Sequence, residues 1–586
     1  MAQEPLNIFV SFNRQRFTQA GSSDLANHYH VTDKSIKKGK ALYPAMGRKH
    51  IEFLGTPRFI FDLEPRLIFK TIDYLYVFVG ANVYRYDKFY NQVAYNNTDY
   101  NRVVGDIWPA YLTVGTDVFL MFSADSGAGR KLFVIQESLV VPTMVTVTDS
   151  NAPMDPLFIA AFGNRFVVSE SDSPEYKLSV VNLGGGSFNP ATCFTVAGSP
   201  LFNQATGKIK QMAVLKAQLY IFNNFTCDIW SNIPSQNVLP GVSTPVFPWK
   251  LNTSFNFDSG MFDPFSLDVD FGMMVWQGTN RNGLVEFLMT NGGQPTPISN
   301  NAVNVLMQNS VNSDGLRPFI DLTANGFLYQ YEDTVFYRVS AGGLSDPQFL
   351  DPLTQANSIE FTFDGQEWHR CIELNGERNR IQQHEFFNQK HLVTVAGDDV
   401  IYEMAGNVYY NELYKDGVFS KFPMRYELTT QQIYYDDYSE FKTDYVEIDF
   451  VFGDKTYYQS DAPFGNTVFV VDEVEDGDGN PIYMIDETTG AFIITEGSNT
   501  PTFNDSHYND LFKPHIELYL SDDGGVTFET ADLRQFSNLG VHRWRMRWYE
   551  LGVSRNRVYK LVCVSSSPIV ILGAIMDRKR VSGGTN

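Results

Sequence analysis

The residues best able to do chemistry lie near the C-terminus. HisArgTrpArgMetArgTrp (542–548) alternates strictly, so an extended strand puts Arg543, Arg545 and Arg547 on one face and Trp544, Met546 and Trp548 on the other. Arg555 and Arg557 follow after a turn. A stripe of guanidinium groups can grip phosphates or an acidic partner through paired N–H donors. Cross-strand pairing with the outward Glu447, Asp449 and Glu517 neutralises the same stripe, and it is the simpler expectation.

SerAspAspGlyGlyValThrPhe (521–528) fits the S-x-D-x-G-x-T-[WF] Asp-box through Ser521, Asp523, Gly525, Thr527 and Phe528. Its physics is a hairpin turn in which Ser and Asp side chains bond turn amides while the aromatic ring packs beneath, so it carries no catalytic group. Asp476, Asp478, Asn480 and Glu487 occupy positions 1, 3, 5 and 12 of a calcium-loop pattern, but Pro481 stands where the sharp turn needs glycine. A solvated acidic hairpin is the better reading. Neither the pair His28 and His30 nor the set His369, His384 and His391 has metal-ligand spacing. The four cysteines (Cys193, Cys227, Cys371, Cys563) are isolated, which indicates neither zinc nor a disulfide framework and suits synthesis in a reducing cytoplasm. With no P-loop, no GxSxG and no convincing Cys–His pair, the expectation is a chain that is not an enzyme, with no catalytic residue, cofactor or metal.

These residues sit in a chain of 586 residues, 43% hydrophobic and only 19% charged, which excludes disorder as its main state. Aromatics reach 15%, and 44 Gly and 27 Pro punctuate the chain, a mix that favours short strands and tight turns. The net charge of −22 argues against broad, sticky binding to nucleic acid. The longest apolar run, Ile569 to Met576, is far short of the ~20 residues a membrane span needs, and no secretory leader is apparent at the N-terminus.

From about residue 70 a unit recurs: a short apolar and aromatic run, a Gly/Asn/Asp turn, then a second run. Its seven starts, near Asp73, Thr116, Asn164, Ala217, Gly272, Asn325 and Lys390, lie 43 to 65 residues apart. That spacing brackets a four-stranded blade plus variable loops, so the expected fold class is all-β, with a β-propeller of about six to eight blades over 55–420. A stack of β-sandwiches is the competing architecture. After Phe422, TyrValGluIleAspPhe (445–450) and HisIleGluLeuTyrLeu (515–520) alternate cleanly. Half-buried strands of a separate, sandwich-like domain are expected over 421–577. The Asp/Gly-rich stretch 455–512 reads as an inserted tip subdomain, either a gate or an outer-wall docking site. Residues 1–54 read as an N-terminal arm and 578–586 as a flexible tail.

The segments SerAspAspGlyGlyValThrPheGlu (521–529), LeuGlyValSerArgAsnArgVal (551–558) and ProIleValIleLeuGlyAla (568–574) together resemble the C-terminus of the packaged-DNA stabilisation, or tail hub and nozzle, proteins of short-tailed bacteriophages. LysAlaLeuTyrProAlaMetGlyArg (40–48) is similar to the aromatic-Pro-Gly stretch that leads into that family's first blade, with Ala-Met intervening between Pro44 and Gly47. The resemblance marks Ser521, Asp523, Gly525, Phe528, Trp544, Trp548, Gly552, Arg555, Arg557, Pro568 and Gly573 as family-motif residues and leaves Arg543, Arg545 and Arg547 as an interaction stripe. It implies a virion tail protein assembled in the host bacterial cytoplasm. Copies of it form a ring, a hexamer, below the head-to-tail adaptor, meet tail fibre, spike or needle proteins, and continue the channel that retains and releases genomic DNA through weak contacts. A propeller-type tail glycan hydrolase or lectin is the alternative, and a carboxylate cluster at the propeller's centre would favour it.

Overall fold

A computed structural model describes residues 4–13, 22–32, 40–53, 56–93, 106–137 (except 115, 127 and 128), 139, 142–180, 189–196, 199–232, 249–251, 256–312, 324–341, 359–452 (except 416, 436 and 438), 484–485, 492–493, 515–535 and 543–581. Most of it is strand. The one α-helix among the described residues, Asn301–Asn312, and every other described segment lack a helix long and apolar enough to cross a membrane. The chain divides into two compact units: residues 50–365 with 379–404, and residues 1–49 with 366–378 and 405–586.

The larger unit is a β-propeller. Five antiparallel sheets of three to five strands succeed one another along the chain, and two more strand groups, Asn325–Phe363 and Ile381–Met404, follow them. Taken as blades 1 to 7, each group packs on the next. Phe78 of blade 1 meets Phe122 of blade 2 edge-on at 5.1 Å. Met121 and Val134 pack with Phe166 and Val168 of blade 3, Tyr176 and Leu178 with Leu219 and Trp230 of blade 4, and Phe222 and Ile229 with Met274 and Trp276 of blade 5. Phe287 of blade 5 lies 5.9 Å from Tyr337 of blade 6, and Phe327 of blade 6 stacks on His384 of blade 7 at 5.2 Å. Leu392 and Ile401 of blade 7 then join Ile68, Leu75 and Val77 of blade 1 in one core, which closes the cycle. Strands buried on both faces explain the unbroken runs LeuTyrValPheVal and GlnLeuTyrIlePhe, since every side chain meets a neighbouring blade. Gly326 shows how tight that packing is: a Cβ there would lie 2.2 Å from the Tyr337 hydroxyl and 2.7 Å from the Ser266 carbonyl.

The smaller unit is a two-sheet sandwich built from both ends of the chain. Its strands include β1 (Glu4–Leu6), β2 (Asp24–Ala26), β3 (His28–Val31), β4 (Ala41–Pro44), β5 (Tyr410–Lys415), β6 (Val418–Thr429), β7 (Phe441–Phe452), β8 (His515–Ser521), β9 (Glu529–Gln535), β10 (Arg543–Tyr549), β11 (Val558–Ser565) and β12 (Ile569–Arg580). One sheet runs in the order β3-β4-β12-β7-β10, with β1 also on β12. In the other, β11 joins β8 to β6, β9 flanks β8, and β2 and β5 pair with β6. Val446, Ile448, Met546 and Trp548 of the first sheet and Met424, Leu428, Ile516 and Leu561 of the second share one core, to which Leu6, Leu25 and Leu42 contribute.

The N-terminal stretch expected as an arm over 1–54 therefore supplies core strands up to Pro44. The sandwich also takes in residues from 405 onward, where 421 was the expected start, and β12 runs to Arg580, beyond the 578 at which the tail was expected to begin. Strands of three or four residues carry little local signal, and β1 and β2 pair only with distant partners, which is why the stretch reads as an arm. Apart from the two-residue strands Met484–Ile485 and Phe492–Ile493, which pair with each other, the 455–512 stretch lies outside the described residues, and with it the acidic hairpin at Asp476 and Asp478.

Candidate functional site: propeller inner strands and the arginine face

In the propeller the first strand of each group lies against the first strand of the next for most of the circuit, the position of an inner ring. Such a strand is an edge, and its outward amides need acceptors. Side chains from neighbouring inner strands supply them. Asp263 accepts the Phe265 amide at 2.9 Å and, across to blade 6, the Ala324 amide at 2.8 Å. Asp268 of blade 5 accepts the Leu328 amide at 2.6 Å. Gln383 of blade 7 accepts from the Ile68 amide at 2.9 Å and donates to the Arg66 carbonyl at 2.7 Å, both in blade 1. Two residues on, Glu385 lies 3.5 Å from the Lys70 ammonium and bonds the Lys70 amide.

Burial dominates the electrostatics here. It pushes the Asp263 and Asp268 carboxyls up to about 6, the bonds from backbone amides offsetting only part of the cost. Burial also pushes Glu385 up to about 7 against the pull of Lys70, although its side chain keeps 18% exposure. Beside it, His384 Nε2 and His391 Nδ1 lie 2.9 Å apart, so one ring donates and the other accepts. Burial and the neighbouring His391 and Lys70 charges hold His384 well below its ordinary value, and burial lowers His391. Carboxyl groups that titrate near neutrality can both give and take protons. The same groups also stitch blades together, which is a structural role.

None of these carboxylates was singled out from the sequence. Their signal was weak: isolated Asp and Glu residues whose partners are 60 or more residues away. Of the histidines, the sequence grouped His384 and His391 only loosely with His369. Among the described residues no group of three or more His, Cys, Asp or Glu side chains is arranged to hold a metal ion.

The sequence-marked residues all lie in the sandwich. The Asp-box closes the β8–β9 turn: the Ser521 hydroxyl donates to Asp523 at 2.7 Å, and Asp523 accepts from the amides of Val526 (2.9 Å) and Thr527 (3.0 Å) and from the Thr527 hydroxyl (2.6 Å). Those donors hold its carboxyl well below the usual carboxylate range. Gly525 adopts φ +94° and donates its amide to Ser521 Oγ at 2.8 Å. Arg557 is buried, with Nε 2.6 Å from Asp522, and it also donates to the Leu551 carbonyl. Gly552, at φ +82°, makes the turn beside it. Arg555 is exposed and reaches Glu440 at 3.0 Å. Thus Arg557, which continues the stripe in sequence, is a core residue and Arg555 a surface one. Pro568 precedes β12, and Gly573 sits within it opposite Asp449.

On β10, Met546 and Trp548 are buried, Trp544 is half-buried against the same core, and the arginines face outward. Arg543 forms a bidentate clamp with both carboxylate oxygens of Asp449 of β7, and Arg547 donates through Nε and Nη2 to Oε2 of Glu447 of the same strand. Arg547 also lies over the Tyr445 ring at 4.5 Å. Arg545, between them, reaches Glu447 and Asp449 only at 4.0 and 3.9 Å.

No family model matches the chain, and no curated protein matches it. Solved structures do. An ancestral GH74 enzyme is 10% identical over 67% of this chain and 54% of its own, with a TM-score of 0.36, so the chain spans about half that enzyme's length. A glycoside hydrolase family 43 arabinoxylan arabinofuranohydrolase from Bacillus subtilis is 9% identical, covering 98% of this chain and 97% of its own, at a TM-score of 0.21. Hsv2 of Kluyveromyces lactis is 10% identical over 56% of this chain and 96% of its own, at 0.26. Likeness at these scores carries no substrate or reaction to this chain. Glycoside hydrolases nevertheless stand among its structural neighbours, and with carboxyl groups titrating near neutrality on the inner strands the expectation of a non-enzyme is withdrawn.

Proposed function

We propose that the chain is a subunit of the hub or nozzle of a short bacteriophage tail: a ring-forming virion protein, hexameric in this reading, that continues the DNA channel below the adaptor. The observation in its favour is the pairing of the two segments that carry the resemblance. Residues 40–48 and 568–574 lie over 500 positions apart in sequence, yet they meet in one sheet, with Leu42 of β4 opposite Ile571 of β12. The residues shared with the family pattern also have physical work there. A Cβ at Gly47 would lie 2.3 Å from the Tyr410 carbonyl, and Arg557 is a buried anchor. Light scattering on the purified chain, followed by electron microscopy of any assembly, tests the reading. Rings support it, and a monomer at every concentration and salt refutes it.

A second reading is favoured by a different observation: Glu385 and Asp268 lie on the inner strands and Asp263 caps the short turn just before Asp268, all three with raised pKa values. A propeller acting on glycans needs carboxyl groups at that position, one of them protonated near neutral pH. Release of reducing sugar from host-surface polysaccharide, lost in Glu385→Gln while the fold persists, supports this reading. Neither binding nor turnover on any polysaccharide tested refutes it.

A further inference from the structure

The order of the first sheet places β10 at its end among the described residues, with the arginine face turned outward. Among the described residues, three guanidiniums stand over two carboxylates, Glu447 and Asp449, on that face, one positive charge more than negative. The charge is localised. Arg543 clamps both oxygens of Asp449 and Arg547 puts two donors on one oxygen of Glu447, whereas Arg545, 63% exposed, only approaches these two carboxylates at 3.9 and 4.0 Å. Tyr549, 60% exposed at the end of the same strand, adds an aromatic surface with a polar tip.

Against this local surplus the chain as a whole carries −22. Identical acidic chains repel, and a two-fold contact would set like surface against like. A head-to-tail contact avoids this by bringing a basic face of one copy to the acidic surface of the next, the geometry that generates rings. We infer that the β10 face centred on Arg545 is the surface by which this chain docks on the acidic surface of a second copy. The inference rests on the ring-forming reading above. In it, Arg545 supplies the attractive charge, Arg543 and Arg547 are held in place as its flanks, and the position of β10 at the end of the sheet among the described residues gives the contact its direction.

The test compares the full-length chain with Arg545→Glu and with Arg555→Glu, an exposed arginine that already faces Glu440. Light scattering is run from about 0.05 to about 0.5 M NaCl, a span over which screening of surface charge grows several-fold. The wild type should assemble with an apparent Kd that rises about ten-fold across that range. Arg545→Glu should weaken assembly at least ten-fold at the lowest salt while the monomer still folds, its melting temperature falling only slightly because the new carboxylate stands opposite Asp449, and Arg555→Glu should assemble as the wild type does. A wild type that assembles together with an Arg545→Glu that assembles equally well overturns the inference and leaves the hub reading standing. The inference is likewise overturned if Arg545→Glu assembles normally and loses affinity only for short duplex DNA. A wild type that is monomeric throughout removes both.

Discussion

Asp263 offers a quantitative test of the propeller's inner ring. The residue is 7% exposed and its carboxyl accepts two backbone amides, one across the boundary between blades 5 and 6, yet burial raises it from 3.8 to about 6. A folded-state value above the unfolded one means that the native state prefers the protonated form. The stability this group contributes is therefore fully present below about pH 3.8 and is lost as pH rises through 6. At about 1.4 kcal/mol per pH unit, the wild type should gain roughly 2–3 kcal/mol relative to Asp263→Asn between pH 8 and pH 4. The substitution adds a loss of about 1–3 kcal/mol that hardly varies with pH, because the amide nitrogen now faces one of the two backbone donors. Titrations of Asp268, Glu385, His384 and His391 are common to both proteins and cancel in the difference, which is why the variant is needed. The assay is urea unfolding at stepped pH, followed by aromatic fluorescence, with the difference in apparent free energy plotted against pH. Parallel curves, or a wild-type advantage that shrinks as pH falls, would refute the assignment of Asp263 as a buried carboxyl whose charging costs the fold.

Arg557→Ala should destabilise the sandwich by about 2–4 kcal/mol in chemical denaturation, since it strands the Leu551 carbonyl and opens a cavity, whereas Arg555→Ala should stay within about 0.5 kcal/mol. Trp548→Ala should cost about 3–5 kcal/mol by the same measurement, and Trp544→Ala distinctly less because its ring is only half-buried. Asp523→Ala should speed hydrogen exchange at the Val526 and Thr527 amides, the donors it holds, with little effect at the Gly525 amide, which bonds Ser521 instead.

How far each feature could be read in advance follows from the distance over which its cause acts. The arginine and tryptophan faces of β10 were legible because a strand repeats every two residues, so seven letters settle which side chains share a face. The Asp-box was legible for the same reason: its bonds span two to four residues. The propeller was legible because its blades repeat, each doubly buried strand leaving an apolar run before a turn. What could not be read is what depends on closure. Gln383 takes its meaning from the Ile68 amide, 315 positions away, and Glu385 from Lys70 beside it; until blade 7 meets blade 1 they are two polar letters in a strand. The N-terminal strands are three or four residues long, too short for a period; β1 and β4 find their ladders on β12 and β2 on β6, and β3 extends the sheet from β4. Arg555 and Arg557 have nearly the same local context, and only the Asp522 carboxylate and the Leu551 carbonyl, brought together by the turn at Gly552, draw one of them inside. Ring closure thus decides which polar residues sit at the centre of the propeller, and the same reasoning extends outward. If copies of the chain close a ring of their own, the partner of Arg545 is settled by that second closure, just as the partner of Glu385 is settled by the first.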